Sequence, residues 1–130
     1  MLFELAEGNM KKILIVDDDD LIRDLLFEIL SDRGYKVFEA ENGNRALQLL
    51  NSETFDLIIT DIIMPDKEGI ETIIDIKKKL PHAKIIAMSG GGQLDANSYL
   101  SIAKKLGVQH TVSKPFDPNE LIRLVEDLLE

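Results

Sequence analysis

Two patterns of apolar and polar residues alternate along the chain. Short runs rich in Ile, Val and Leu, typical of buried strands, precede longer segments in which apolar residues recur every three or four positions, as in amphipathic helices. The predicted strands cover residues 12–16, 36–40, 55–60, 84–88 and 108–112. The predicted helices lie between and after them, the later four at 43–51, 68–80, 95–106 and 119–129. The first helix has the apolar stripe Leu21, Ile22, Leu25, Leu26, Ile29 and Leu30.

Five strand–helix alternations predict an α/β protein. We expect a flavodoxin-like (βα)5 three-layer sandwich, in which a five-stranded parallel sheet of order 2-1-3-4-5 has helices on both faces. Residues 1–10 do not fit the repeating pattern, so we expect them to form an N-terminal extension to one domain over residues 11–130.

Composition narrows the function classes. The net charge of −9 disfavours non-specific binding to nucleic acids and to anionic membranes. The chain has no cysteine, which excludes disulfides, cysteine-based zinc sites and a thiol nucleophile. The first ten residues lack a signal-peptide pattern, and no apolar stretch is long enough to span a bilayer, so we expect a cytoplasmic location.

Polar side chains follow four of the predicted strands. Asp17 and Asp18 come after the first strand, Asp61 after the third, Ser89 after the fourth and Lys114 after the fifth. The carboxyl ends of parallel strands open on the same edge of a sheet, and the first and third strands are neighbours in the expected order. We therefore expect three carboxylates to converge there, with a lysine and a serine beside them.

This set of residue types favours phosphoryl transfer. Clustered carboxylates require a cation, and a site made only of oxygen ligands suits Mg²⁺, for which Mn²⁺ should substitute, better than zinc. Asp61 is the predicted nucleophile, since a carboxylate can attack phosphorus to form an acyl phosphate. The metal and Lys114 would neutralise phosphoryl oxygens, and the Ser89 hydroxyl would donate a hydrogen bond to another. A cap, a turn or a surface position explains each residue singly, but not the combination.

Four short motifs carry a resemblance to a known family. They are Val16-Asp17-Asp18, the nonapeptide Asp-x-x-Met-Pro-x-x-x-Gly at residues 61–69, Ser89, and Lys114-Pro115-Phe116. In this order, at strand ends, they resemble the receiver domain of response regulators in two-component signalling, of the chemotaxis-regulator type. The resemblance extends from about residue 11 to residue 130.

The resemblance implies a mechanism. Asp61 would accept a phosphoryl group from a phosphohistidine on a sensor histidine kinase or a histidine phosphotransfer protein. Mg²⁺ would be bound by Asp18, Asp61 and the backbone carbonyl of Ile63, and through water by Asp17. The Lys114–Pro115 peptide bond would be cis.

The resemblance also implies an output. Phosphorylation would draw Ser89 inward and bias the face formed by the fourth helix, the fifth strand and the last helix between two states. That face would act on a downstream protein or output domain, and the relationship also allows a phosphorylation-dependent dimer. The chain would be a signalling phosphoacceptor rather than an enzyme that turns over an external substrate.

Three residues depart from the usual family pattern. Thr111 occupies the position of a customary aromatic switch residue, so we expect the switch to use the backbone of loop 90–92 or the fourth helix. Ile63 and Gly91 lie two residues after Asp61 and Ser89, and neither side chain can position a hydrolytic water. We therefore expect a long-lived phosphoryl group.

Other functions remain as alternatives. A degenerate receiver would bind partners without being phosphorylated. A Mg²⁺-dependent aspartyl-phosphate hydrolase would need a general acid at the position of Ile63 and a cap over its substrate, and the sequence offers neither. A flavin-mononucleotide binder would need a phosphate-cradling first loop, which the four aspartates at 17–20 would make repulsive.

Overall fold

A computed structural model describes residues 10–62, 69–89, 101 and 104–130, and all structural statements concern these residues. The strands are β1 (Lys12–Val16), β2 (Lys36–Ala40), β3 (Leu57–Asp61), β4 (Ile85–Ser89) and β5 (His110–Ser113). The helices are α1 (Asp20–Ser31), α2 (Gly43–Ser52), α3 (Gly69–Lys79) and α4 (Pro118–Leu129). Residues 101, 104 and 105 are also helical, but most of the helix predicted at 95–106 lies outside the described residues. Within these ranges, no helix is both long and apolar enough to cross a membrane.

The five strands form one parallel sheet of order β2-β1-β3-β4-β5, which confirms the predicted fold. Every residue of β3 and β4 is buried, because helices cover both faces of the sheet. One apolar core lies between the sheet and α2 and α3, and a second lies between the sheet and α1 and α4. The second core includes Ile13 and Ile15 of β1 and Leu57 and Ile59 of β3.

Two strands end later than the apolar pattern predicts. β3 continues to Asp61 and β4 continues to Ser89, because backbone pairing extends past the last apolar residue: Asp61 lies opposite Met88 and Ser89 opposite Ser113. The predicted start of the third strand is also wrong by two residues. Phe55 precedes β3 and packs its ring edge-on against Phe38, with 5.2 Å between ring centroids. Because Asp61 is itself paired with Met88, the sheet fixes the backbone of this candidate nucleophile.

The apolar stripe predicted for α1 is wrong at two positions. Leu26 and Leu30 are fully buried, but Leu21 is 78% exposed and Leu25 is 37% exposed. At 100° per residue, six apolar positions span a wider arc than one sheet can cover, and Leu21 and Leu25 fall at its edge. Asp19 is the N-cap of this helix, and its carboxylate accepts a hydrogen bond of 2.9 Å from the Leu21 amide.

Candidate functional site

The register of the sheet aligns two of the predicted carboxylates. Val16 pairs with Thr60, so the next residues, Asp17 and Asp61, lie level with each other at the carboxyl edge. Alternate side chains of a strand point to the same face of the sheet. Asp17 comes two residues after Ile15 and Asp61 comes two residues after Ile59, and both isoleucines pack towards α1 and α4. The side chains of Asp17 and Asp61 therefore leave the sheet on the same side.

Three carboxylates converge at this edge. Asp17, Asp18 and Asp61 each offer one oxygen atom, and these atoms lie within 4.8 Å of one another. Asp17 is completely buried and Asp61 is 5% exposed, whereas Asp18 is exposed. All three ligand atoms are carboxylate oxygens and one side of the cluster faces solvent, which fits a Mg²⁺ ion that retains water ligands.

Lys114 joins this cluster from the loop after β5. Its ammonium donates hydrogen bonds to Asp17 Oδ2 at 2.7 Å and to Asp61 Oδ2 at 3.1 Å. Its backbone amide donates to the Ser89 carbonyl at 2.8 Å, which fixes the start of the loop. The Lys114–Pro115 peptide bond is cis, as the resemblance predicts.

The charges of the site are strongly coupled. Burial raises the pKa of Asp17, and the hydrogen bonds from Lys114 and from the Asp19 amide only partly oppose that rise. Burial alone would lower the pKa of Lys114, but its hydrogen bonds and charge attraction to Asp17 and Asp61 raise it above the ordinary lysine value. Lys114 is therefore a cation at neutral pH. With its carboxylates ionised, the cluster then has an excess of two negative charges, which one divalent cation would balance.

Ser89 lies at the end of β4, one residue beyond the register partner of Asp61. It is 1% exposed, and its hydroxyl oxygen has no hydrogen-bond partner within the described part of the chain. Burying a hydroxyl without a partner is unfavourable, so an additional acceptor at this position would stabilise the site.

The remaining predicted positions are only partly covered by the structure. Ile63 and Gly91 lie outside the described residues. Thr111 is half-buried in β5 and pairs with Ala87 of β4.

Two contacts near the site involve residues whose roles the sequence did not indicate. Arg23 of α1 donates a 2.6 Å hydrogen bond to the backbone carbonyl of Asp17. Gly69 begins α3 directly over the Asp61–Ile62 backbone, where an added Cβ atom would lie 2.1 Å from Ile62 Cα. Gly69 belongs to the motif at 61–69, but only the folded chain explains why no side chain fits there.

Comparison with known proteins agrees with this geometry. The family model for the response regulator receiver domain matches residues 13–126. The chain is 37% identical to sporulation initiation phosphotransferase F of Bacillus subtilis over 119 residues, covering 92% of this chain and 94% of that protein. It is 34% identical to transcriptional regulatory protein CpxR of Escherichia coli K12, covering 92% of this chain but only 50% of that relative.

Solved structures lead to the same family. A CheY-like receiver domain protein from Methanospirillum hungatei superimposes with a TM-score of 0.84 at 32% identity, covering 93% of this chain and 94% of that one. The response regulator TrrA from Thermotoga maritima, solved in complex with Mg²⁺ and BeF, gives 0.80 at 40% identity, with 92% and 100% covered. The chain is a member of the response regulator receiver domain family.

Proposed function

We propose that Asp61 is the phosphoacceptor of this receiver domain and that residues 11–130 form the unit that is phosphorylated. The observation that carries the proposal is the position of Lys114, whose ammonium binds the carboxylates of Asp61 and Asp17 at once. The same ammonium can neutralise an oxygen of a phosphoryl group attached to Asp61.

The acidic cluster is the proposed Mg²⁺ site. Asp18 and Asp61 would bind the ion directly, Asp17 through water, and the Ile63 carbonyl would complete the protein ligands. The oxygen-only donor set and the excess of two negative charges support this assignment, as does the Mg²⁺ complex of the relative TrrA. Bound Mg²⁺ would neutralise charge on the phosphoryl oxygens, and Mn²⁺ should substitute for it.

The proposed reaction moves one phosphoryl group from nitrogen to oxygen. A carboxylate oxygen of Asp61 attacks the phosphorus, the P–N bond of a phosphohistidine breaks, and the released imidazole nitrogen takes a proton from solvent. Lys114 stabilises one phosphoryl oxygen by its charge. The Ser89 hydroxyl donates to another, which gives this buried group the acceptor it lacks within the described residues.

A protein donor must approach the carboxyl edge beside α1. Leu21 and Leu25 lie one turn apart in the N-terminal half of α1, the helix that begins two residues after Asp18, and both are exposed. We place the contact with the histidine-bearing partner on these two side chains. Leu21→Ser and Leu25→Ser should slow transfer from a phosphohistidine protein but not from a small phosphodonor. Phe27→Ser is the matched control, because Phe27 is 41% exposed but lies on another side of α1.

The proposed output follows from the position of Ser89. A hydrogen bond from Ser89 to the phosphoryl group would alter the carboxyl end of β4 and, through the bond between Lys114 N and Ser89 O, the loop after β5. The face that includes β5 and α4 would then favour a downstream protein, an output domain or a second phosphorylated copy. Thr111 has no aromatic ring that could change orientation, so we expect movement of the backbone to transmit the effect of phosphorylation.

A small phosphodonor tests the acceptor directly. Phosphoramidate contains the P–N bond of a phosphohistidine, and with Mg²⁺ it should yield an acyl phosphate detectable by ³¹P NMR. Asp61→Asn and addition of EDTA should abolish the signal. Asp56→Asn should retain it, because Asp56 is exposed at the opposite edge of the sheet, before β3. Absence of an acyl phosphate in the wild-type chain would favour a degenerate, binding-only receiver.

The hydrolase alternative makes a different prediction in the same experiment. A phosphohydrolase would release many equivalents of inorganic phosphate for each protein chain. The proposed phosphoacceptor should instead form about one acyl phosphate and release phosphate slowly. Rapid multiple turnover would therefore refute the assignment as a signalling phosphoacceptor.

A further inference from the structure

All four polar groups of Asp17 are hydrogen-bonded. Its amide donates to the Ala40 carbonyl at 3.1 Å, Oδ1 accepts from the Asp19 amide at 2.9 Å, and Oδ2 accepts from Lys114 at 2.7 Å. Its carbonyl accepts from Arg23 Nη1 at 2.6 Å. We propose that Arg23 is a positioning residue for the Mg²⁺ site, which holds the backbone of Asp17 so that the carboxylates of Asp17 and Asp18 face Asp61.

Three elements converge on the guanidinium of Arg23. Besides the Asp17 carbonyl, its nitrogens contact the carboxylate of Asp20 in the first turn of α1 and, at 3.5 Å, that of Glu39 in β2. The side chain is only 14% exposed. A planar guanidinium with several fixed N–H groups can serve these partners together, whereas the single ammonium of a lysine cannot match the same geometry.

The connection to metal binding runs through Asp18. Asp18 offers one oxygen to the cluster, and it lies between Asp17 and Asp19, whose amide is bonded to Asp17 Oδ1, so the backbone between residues 17 and 19 sets the direction of its side chain. The Arg23 hydrogen bond fixes the peptide group that joins Asp17 to Asp18. Without it, a completely buried carbonyl loses its partner, and rotation of that peptide would turn Asp18 away from Asp61.

This inference rests on the proposed Mg²⁺ site, and it predicts a loss of affinity in a variant that keeps every metal ligand. Arg23→Ala should weaken Mg²⁺ binding about tenfold or more, the size of effect seen when groups that orient metal ligands are removed. Arg23→Lys keeps the charge and one donor, and should fall between the wild type and Arg23→Ala. Arg33→Ala is the matched control, because Arg33 lies two residues beyond the C-terminal end of α1 and makes an exposed ion pair with Glu126.

Two measurements test the role of Arg23. Calorimetric titration with Mg²⁺, at a temperature where all variants are folded, gives the dissociation constants. Amide hydrogen exchange in the metal-free proteins reports the Asp19 N–H, which is bonded to Asp17 Oδ1. In Arg23→Ala this amide should lose more protection than the amides of β4, because a change in global stability alone would affect β4 at least as much.

The outcomes separate this inference from the proposed function. Weaker Mg²⁺ binding together with selective loss of protection at Asp19 would support the positioning role. Wild-type affinity and unchanged Asp19 exchange in a folded Arg23→Ala would overturn it, and if that variant does not fold, the same comparison applies to Arg23→Lys. A wild-type chain that binds no Mg²⁺ would refute the metal site, and the metal-free exchange data would still decide whether Arg23 holds Asp17.

Discussion

Replacing Lys114 with methionine tests the charge balance of the site most sharply. The substitution keeps an unbranched side chain but removes the only ammonium that the described structure places between Asp17 and Asp61. Breaking a fully buried ion pair costs about 3–5 kcal/mol. Since the Lys114 side chain is 15% exposed and the cluster is open at Asp18, we expect about 2 kcal/mol in metal-free protein. For a chain of 130 residues this lowers the melting temperature by roughly 7 °C.

Mg²⁺ should reverse much of this loss. Lys114 and the ion are both attracted to Asp17 and Asp61, so the ammonium weakens Mg²⁺ binding by repulsion and by occupying carboxylate oxygens. Lys114→Met should therefore bind Mg²⁺ more tightly than the wild type. Binding stabilises a folded protein by about 2.7 kcal/mol when the ion is present at a hundred times its dissociation constant. At one fixed Mg²⁺ concentration, the variant should gain more stability than the wild type.

The assay is urea unfolding with EDTA and with a fixed Mg²⁺ concentration. Lys12→Met is the control, because the Lys12–Glu53 ion pair lies at the surface, where water screens it, and its loss should change stability little and independently of Mg²⁺. If Lys114→Met were as stable as the wild type in EDTA, or if Mg²⁺ stabilised both proteins equally, the charge account of this site would be refuted.

Four further predictions concern two glycines, the titration of Asp17 and the lifetime of the phosphoryl group. Gly69→Ala should cost about 2 kcal/mol or more and weaken Mg²⁺ binding, because the added carbon must displace the Asp61–Ile62 backbone. Gly34→Ala, at a φ of 93°, should cost about 1 kcal/mol and leave Mg²⁺ binding unchanged, as calorimetry would show. Burial raises the pKa of Asp17 in the folded protein, so the folded state binds this proton more tightly than the unfolded state does. Stability should therefore fall as pH rises from the ordinary aspartate pKa of 3.8 through the higher pKa of the folded state. Asp17→Asn should lack this component when unfolding free energies are compared in EDTA, and identical pH profiles would contradict the assignment. The phosphoryl group on Asp61 should persist well beyond seconds in purified protein with Mg²⁺, and ³¹P NMR decay on a scale of seconds would contradict the expectation drawn from Ile63 and Gly91.

The fold was predictable because β1, β3 and β4 are nearly continuous apolar runs. Such runs are typical of central strands in a parallel sheet covered by helices on both faces, and their alternation with amphipathic segments indicates an α/β fold. The edge strands β2 and β5 are more polar and only partly buried, so their signal is weaker. The ends of β3 and β4 were less predictable, because Asp61 and Ser89 interrupt the apolar pattern while their backbones still pair with neighbouring strands. Periodicity also could not show that α1 leaves Leu21 and Leu25 exposed.

The polar composition of the site was predictable from topology, since parallel strands bring their carboxyl ends to one edge. The positions of Asp17, Asp61 and Lys114 follow from that rule. The contacts of Arg23 and Gly69 do not follow from it. Arg23 reaches a backbone carbonyl rather than a charged group of the cluster, and Gly69 matters through a close backbone approach that only the folded chain reveals.

Intact mass measurement shows whether Asp61 accepts a phosphoryl group. After incubation with acetyl phosphate and Mg²⁺, the wild-type chain should gain the mass of one phosphoryl group. Asp61→Asn should gain none, and EDTA should prevent the gain in the wild type. A wild-type chain that gains no mass, or an Asp61→Asn chain that gains the same mass, would contradict the account.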